Sequence, residues 1–347
     1  HSVENYAFTF EALPARYHNG LATHIYEEGS DLKKSLLISL ALVCVLTVSI
    51  GVYSASDLIL ATGGTAGTYY PLGGAIANIA NKRISKMNMA AQSTGASAEN
   101  VRLINKGEAD LALVQNDVAD YAYNGTETFE GKPIKTFGAI ASLYPEVIQF
   151  VVRADGPIKT WADVRGKRIS VGAPGSGTEA NARQILDIYG MTYADVEEQF
   201  LSFAESANQF KDGHIDGFFV TAGVPNPGIT DVSTQHKIKI LSMPADKMKQ
   251  LTTKYPFLVA ATVPANSYLN QTEAATTPAV MAILIAGNAV PEADVYQITK
   301  ILFENDGDLA KAHAKGAEIK LATALNGLST PLHAGAAKYY REKGILK

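Results

Sequence analysis

The 347-residue sequence holds a single cysteine, Cys44, and one thiol can support neither an internal disulfide framework nor a thiolate metal cluster. Charge is sparse as well. Asp, Glu, Lys and Arg make up 18% of the chain, and the net charge of −4 leaves no electrostatic footprint for a nucleic-acid backbone. Histidines beyond the N-terminal region are limited to His214, His236, His313 and His333, and none stands in an HExxH pattern. No GxSxG elbow surrounds a serine, so a hydrolase triad has no anchor. Repeats with a period of roughly 20 to 50 residues are missing too, which sets solenoids and propellers aside.

What is present begins with an apolar run from Leu36 to Val52, preceded by Lys33-Lys34 and followed by Ser54-Ala55-Ser56. A basic flank, an apolar stretch and a small-residue exit read as a secretory signal peptide over residues 32–56; an uncleaved anchor is the alternative. Ala41-Leu42-Val43 before Cys44 does not resemble a lipoprotein site. Residues 1–31 match no targeting pattern and read as an extension or a misassigned start, with Leu32 as a candidate first residue. The expected location is the periplasm.

The rest of the chain exceeds the roughly 100 to 200 residues of one ordinary domain, so two lobes are expected. Short β-rich runs alternate with amphipathic helical stretches, the signature of an α/β fold on largely parallel sheets. A two-fold repetition runs through it. The first half reads as a strand (57–62), a Gly/Thr loop (63–70) and a helix from Pro71, with Leu72, Ala75, Ile76 and Ile79 on its buried face. The second half reads as a strand (168–172), a loop (173–178) and a helix whose face is Ala182, Ile185, Leu186 and Tyr189, with Gly190 as its stop. Each half then repeats a helix-ending glycine, an aspartate and a buried strand: Gly107 and Asp110 before 111–114, Gly213 and Asp216 before 217–220. Both aspartates read as satisfying turn amides.

Strands over 146–153 and 257–263 suit crossings between lobes. Residues 57–147 plus 265–347 then form lobe one, and 148–264 form lobe two. The C-terminal region reads as helical, with helices starting at Thr277 and spanning 292–304 and 309–313.

Ligands in open α/β sheets sit beyond the carboxyl ends of the strands. Three strand-to-helix loops therefore become candidates: Gly64, Thr65, Tyr69 and Tyr70; Ser93, Thr94, Gly95 and Ser97; and Ser176, Gly177 and Thr178. Gln115 and the segment Thr221, Ala222 and Gly223 lie at matched strand exits. Hydroxyls beside unpaired amides at a helix start favour an anion. Ser97 reads equally as a simple cap, Gln115 as a turn residue, and Tyr69 and Tyr70 as packing residues. The spacing of Gly172 and Gly177 mimics a phosphate loop, but Thr178 stands where the lysine belongs.

The ordered set Gly63 to Pro71, Ser93 to Asn100, Gln115-Asn116-Asp117, Tyr144-Pro145-Glu146, Asp163 to Lys167, Gly172 to Thr178 and Pro331 to Ala336 resembles the TAXI family. These are the TRAP-associated extracytoplasmic immunogenic proteins, substrate receptors of tripartite ATP-independent periplasmic transporters. The likeness covers residues 58–344 and implies a two-lobed type II periplasmic-binding fold, each lobe a mixed, mostly parallel sheet flanked by helices, with hinge strands between. It further implies a small anionic solute, a dicarboxylate or glutamate-like amino acid, delivered to a membrane permease. Neither catalysis nor a cofactor, metal or nucleic-acid partner is expected, and the chain is expected to be a monomer. Gln149 departs from the histidine expected after Tyr-Pro-Glu.

Overall fold

The computed structural model describes residues 56–305 and 307–346. The signal segment and the extension read in residues 1–55 lie outside them. Among the described residues no helix is long and apolar enough to cross a membrane.

The first half of the fold opens with β1 (Ser56–Ala61), α1 (Tyr69–Arg83), β2 (Met87–Gln92), α2 (Ser97–Lys106), β3 (Leu111–Gln115) and α3 (Asn116–Asn124). A 17-residue strand, β4 (Phe137–Arg153), leads into the second half. That half holds β5 (Arg168–Ser170), α4 (Gly177–Ile188), β6 (Glu197–Gln199), α5 (Phe203–Lys211), β7 (Gly217–Ala222), α6 (Pro227–Gln235), β8 (Ile238–Ile240), α7 (Ala245–Lys254) and β9 (Val259–Val263). The chain returns through β10 (Ala275–Gly287) and ends in α8 (Glu292–Phe303), α9 (Asp308–Ala312) and α10 (Ala334–Glu342).

Strand order runs β2-β1-β3-β10-β4-β7-β5-β6, with β8 on β4 and β9 on β10. Each half therefore has its second, first and third strands parallel, followed by an antiparallel crossing strand: β10 in one half, β4 in the other. This is the mixed two-lobed arrangement that the type II periplasmic-binding fold calls for. Helices cover both faces of each half, so the apolar side chains gather in four clusters. β4 and β10 feed all four: Leu284 and Ile285 point to opposite faces of one half, Ile148 and Val151 to opposite faces of the other.

Three expectations need correction. No helix starts at Thr277; the segment is β10, and it makes the second crossing that the sequence had placed at 257–263. Nearly all of its residues are buried, and a continuous apolar run loses the period that separates strand from helix. The paired aspartates do not serve turns. Asp110 accepts from the Ile59 amide of β1 at 2.8 Å, and Asp216 accepts from the Arg168 amide of β5 at 3.0 Å, so each ties the third strand of its half to the first. Finally, Gln115 is no turn residue: it ends β3, and α3 begins directly after it.

Glycines stand at the predicted helix stops. Gly107 and Gly190 sit at φ 73° and 64°, a left-handed conformation that a Cβ disfavours. The C-terminal segment around His333 packs on the first half, where the His333 amide donates to Ala139 O at 2.9 Å and its ring Nδ1 accepts from Gly335 at the start of α10.

Candidate functional site

Strand ends from both halves converge on one cavity of about 130 Å³. Gly63, Gly64, Gly67 and Thr68 follow β1, Thr94 to Ser97 follow β2, and Gln115 closes β3. From the second half come Ala173, Ser176, Gly177 and Thr178 after β5, Ser202 and Phe203 after β6, and Thr221 and Ala222 at the end of β7. Tyr69 of α1 and Glu146 of β4 complete the wall. Clefts for drug-sized ligands run to about 300–1,000 Å³, so this space suits a solute of a handful of heavy atoms.

Of the candidate residues, Gly64, Tyr69, Thr94, Gly95, Ser97, Gln115, Ser176, Gly177, Thr178, Thr221 and Ala222 line the cavity. Four do not. Thr65 and Tyr70 are exposed on the far side of their loop. Ser93 is also exposed, with its hydroxyl donating to Gly63 O at 3.0 Å. Gly223 backs against the Lys315 stem, where an added Cβ would lie 2.5 Å from Lys315 Cγ.

The start of α2 is not the open anion site that its hydroxyls suggested. The Gly95 amide donates to the Glu99 carboxylate and the Ala96 amide to Thr94 Oγ1. The Ala98 and Glu99 amides cross to Gly175 O of the other half. Ser97 Oγ accepts from the Gln115 amide at 3.1 Å and so braces β3. At α4 the outcome differs. Ser176 caps the helix by accepting from the Glu179 amide at 3.1 Å, and Thr178 Oγ1 accepts from the Thr221 amide, yet both hydroxyls keep their own protons. Among the described residues, the Gly177 and Thr178 amides of the first turn find no acceptor.

Among the described residues, two buried polar atoms in the wall have no partner: Thr68 Oγ1 and Gln115 Oε1. A buried orphan costs roughly 1–3 kcal/mol, so an unfilled cavity is disfavoured relative to one whose occupant completes them. The wall also holds one carboxyl. Glu146 is 2% exposed, and its Oε2 accepts from the Tyr69 hydroxyl at 2.5 Å. Burial pushes the Glu146 carboxyl up to about 8, against a downward pull from the Tyr69 hydrogen bond and with a further upward push from Asp117. Burial and then Glu146 likewise push the Tyr69 hydroxyl well above its ordinary range. Asp117, held by Asn181 Nδ2 at 3.0 Å, is raised to about 6 by burial. Among the described residues no Lys, Arg or His lines the cavity.

The halves meet around this space through few bonds. Besides the Gly175 carbonyl and the Asn181 contact, Gln184 Nε2 donates to the Tyr121 hydroxyl at 2.9 Å and Asn226 Nδ2 donates to Ala66 O at 3.2 Å. Gln149 stands behind the last of these: its Oε1 accepts from the Tyr268 hydroxyl, which in turn accepts from the Asn226 amide.

Sequence reasoning missed Glu146, Thr68, Ser202 and Phe203. Two signals existed. Glu146 is the lone acidic residue in the largely apolar 137–153 run, a placement that burial makes costly. Ser202 and Glu205 form a capping box after β6, matching in place the loop that follows β2.

Residues 60–344 match the model of the NMT1-like family. Solved structures that align with this chain include the periplasmic aliphatic sulphonate binding protein SsuA from Escherichia coli, at 15% identity and a TM-score of 0.45 over 84% of this chain and 89% of that one. A putative L-cystine ABC transporter protein from Listeria monocytogenes aligns at 15% identity and a TM-score of 0.47, over 78% of this chain and 98% of that one.

Proposed function

The chain belongs to the NMT1-like family, and on that premise we propose that it is an extracytoplasmic receptor that closes its two halves over one small polar solute and releases it unchanged to a membrane permease. The observation that carries this reading is the pair of unpartnered buried atoms, Thr68 Oγ1 from one loop and Gln115 Oε1 from another, in a small cavity between halves joined by two crossing strands. A solute that satisfies them favours the closed arrangement over the open one by its differential affinity. The resemblance to TAXI receptors supports a TRAP-type permease as the recipient and a small dicarboxylate or acidic amino acid as the cargo. The Gly177 and Thr178 amides and the Ser176 and Thr178 hydroxyls are the groups suited to a carboxylate.

A thermal-shift and calorimetric screen of C4 and C5 dicarboxylates, amino acids and alkanesulfonates tests the reading. A solute at about 100 times its Kd adds roughly 2.7 kcal/mol to the stability of the native state. Recovery of a chemically altered solute after incubation would show an enzyme on this fold instead. Stabilisation by none of these compounds would remove the receptor reading.

A further inference from the structure

We propose that Glu146, held by Tyr69 in the cavity wall, is the residue that selects the solute, and that it takes a protonated amine, so that the receptor reads an amino acid in preference to the matching acid without the amine. The inference rests on the receptor reading and narrows its ligand.

Glu146 lies in β4, the strand shared by both halves, with its carboxyl facing the cavity. Among the described residues its one hydrogen bond comes from the neutral Tyr69 hydroxyl at 2.5 Å. Buried carboxylates are ordinarily stabilised by a cation or several donors, and this one has neither. The titratable groups that influence it are Tyr69 from α1, Tyr144 from its own strand and Asp117 from α3; none is cationic. Lys315, whose stem passes Thr68 and Gly223, pairs its ammonium with Glu318 at 2.7 Å. The charge that the wall lacks is therefore positive, and the cavity that Glu146 lines is a space that can supply it. A ligand ammonium there makes a charge-assisted hydrogen bond with Glu146, while Thr68 Oγ1 and Gln115 Oε1 can accept further N–H donors from it. A purely structural role would leave the carboxyl packed against protein and fully bonded, and it is not.

The rival for the same atoms is a neutral Glu146 that donates its proton to a solute carboxylate. The two differ in proton traffic. Because burial raises the carboxyl to about 8, an incoming ammonium displaces the Glu146 proton to the buffer at neutral pH, and affinity rises from pH 6 to 8. A carboxylate ligand requires that proton to stay, and its affinity falls over the same range.

The test is calorimetric titration of the purified protein with L-amino acids and their matched 2-oxo acids, L-glutamate and 2-oxoglutarate among them, at pH 6 and 8 and in two buffers of different ionisation enthalpy. The amino acid that binds is expected to exceed its 2-oxo counterpart by about ten- to a hundredfold, the range for a hydrogen bond to a charged group, with proton release on binding. Glu146→Gln is expected to erase that preference to within about threefold while circular dichroism stays unchanged. If Glu146→Gln does not fold, Tyr69→Phe serves: losing the hydroxyl donor moves the pH at which amino-acid affinity rises upward. Equal or tighter binding of the 2-oxo acid, proton uptake, or a preference that survives Glu146→Gln would overturn the inference and leave the receptor reading standing. Binding of no member of either series would overturn the inference, and only failure of the wider solute screen would overturn the receptor reading as well.

Discussion

Replacing Glu146 by Gln should stabilise the ligand-free protein, and by much more at pH 8 than at pH 5. The side chain is 2% exposed and its carboxyl is raised from 4.5 to about 8, chiefly by burial. Below about pH 4.5 the folded and unfolded chains both hold the proton, and its contribution is then intact. As pH climbs from 4.5 towards 8, the unfolded carboxyl ionises while the folded one does not, so stability is lost steadily across that window. Each pH unit is worth about 1.4 kcal/mol, and the ~3 units between pH 5 and 8 therefore amount to roughly 4 kcal/mol. Glutamine keeps an acceptor for the Tyr69 hydroxyl and does not titrate. Asp117 titrates in both proteins and largely cancels from the difference. Urea denaturation of both proteins at the two pH values measures the effect. The gap between Gln variant and wild type should be small at pH 5 and wider by roughly 4 kcal/mol at pH 8. A gap that stays the same within about 1 kcal/mol would refute the placement of an uncharged Glu146 in a closed wall.

Two further perturbations probe the site and its scaffold separately. A Cβ at Gly177 would lie 2.2 Å from Gln115 Oε1, the tip of a movable side chain, so Gly177→Ala turns the Gln115 amide out of the cavity. Solute affinity should fall about five- to tenfold by titration calorimetry, the value of one lost hydrogen bond, with a melting temperature near that of wild type. Unchanged affinity would count against Gln115 as a contact. Phe219 is fully buried and stacks on Phe150 with ring centroids 4.5 Å apart, so Phe219→Ala should cost about 3–5 kcal/mol in urea denaturation. A loss below about 1.5 kcal/mol would mean that this part of the second half repacks freely.

Local rules were enough for the paired strand–loop–helix units of each half, because a Gly-ended helix and a short apolar strand are written in neighbouring residues. The matched loops read at 63–70 and 173–178 therefore pointed to a two-part site, and residues of both line the cavity. β10 escaped the same reading: with both faces buried, its apolar run carries no alternation. The start of α2 looked like an anion site because sequence shows its hydroxyls and not the Gly175 carbonyl that occupies its amides from the other half.

Sequence by itself determined the repeating α/β units, the glycine stops and most of the loops around the cavity, since each depends on backbone preferences within a few residues. Tertiary structure alone decided which polar atoms remain unsatisfied there. Tyr69 and Glu146 are 77 positions apart, and Gln115 meets Gly177 across the two halves. Burial, and with it the raised affinity of Glu146 for its proton, is a property of that convergence and of no single segment.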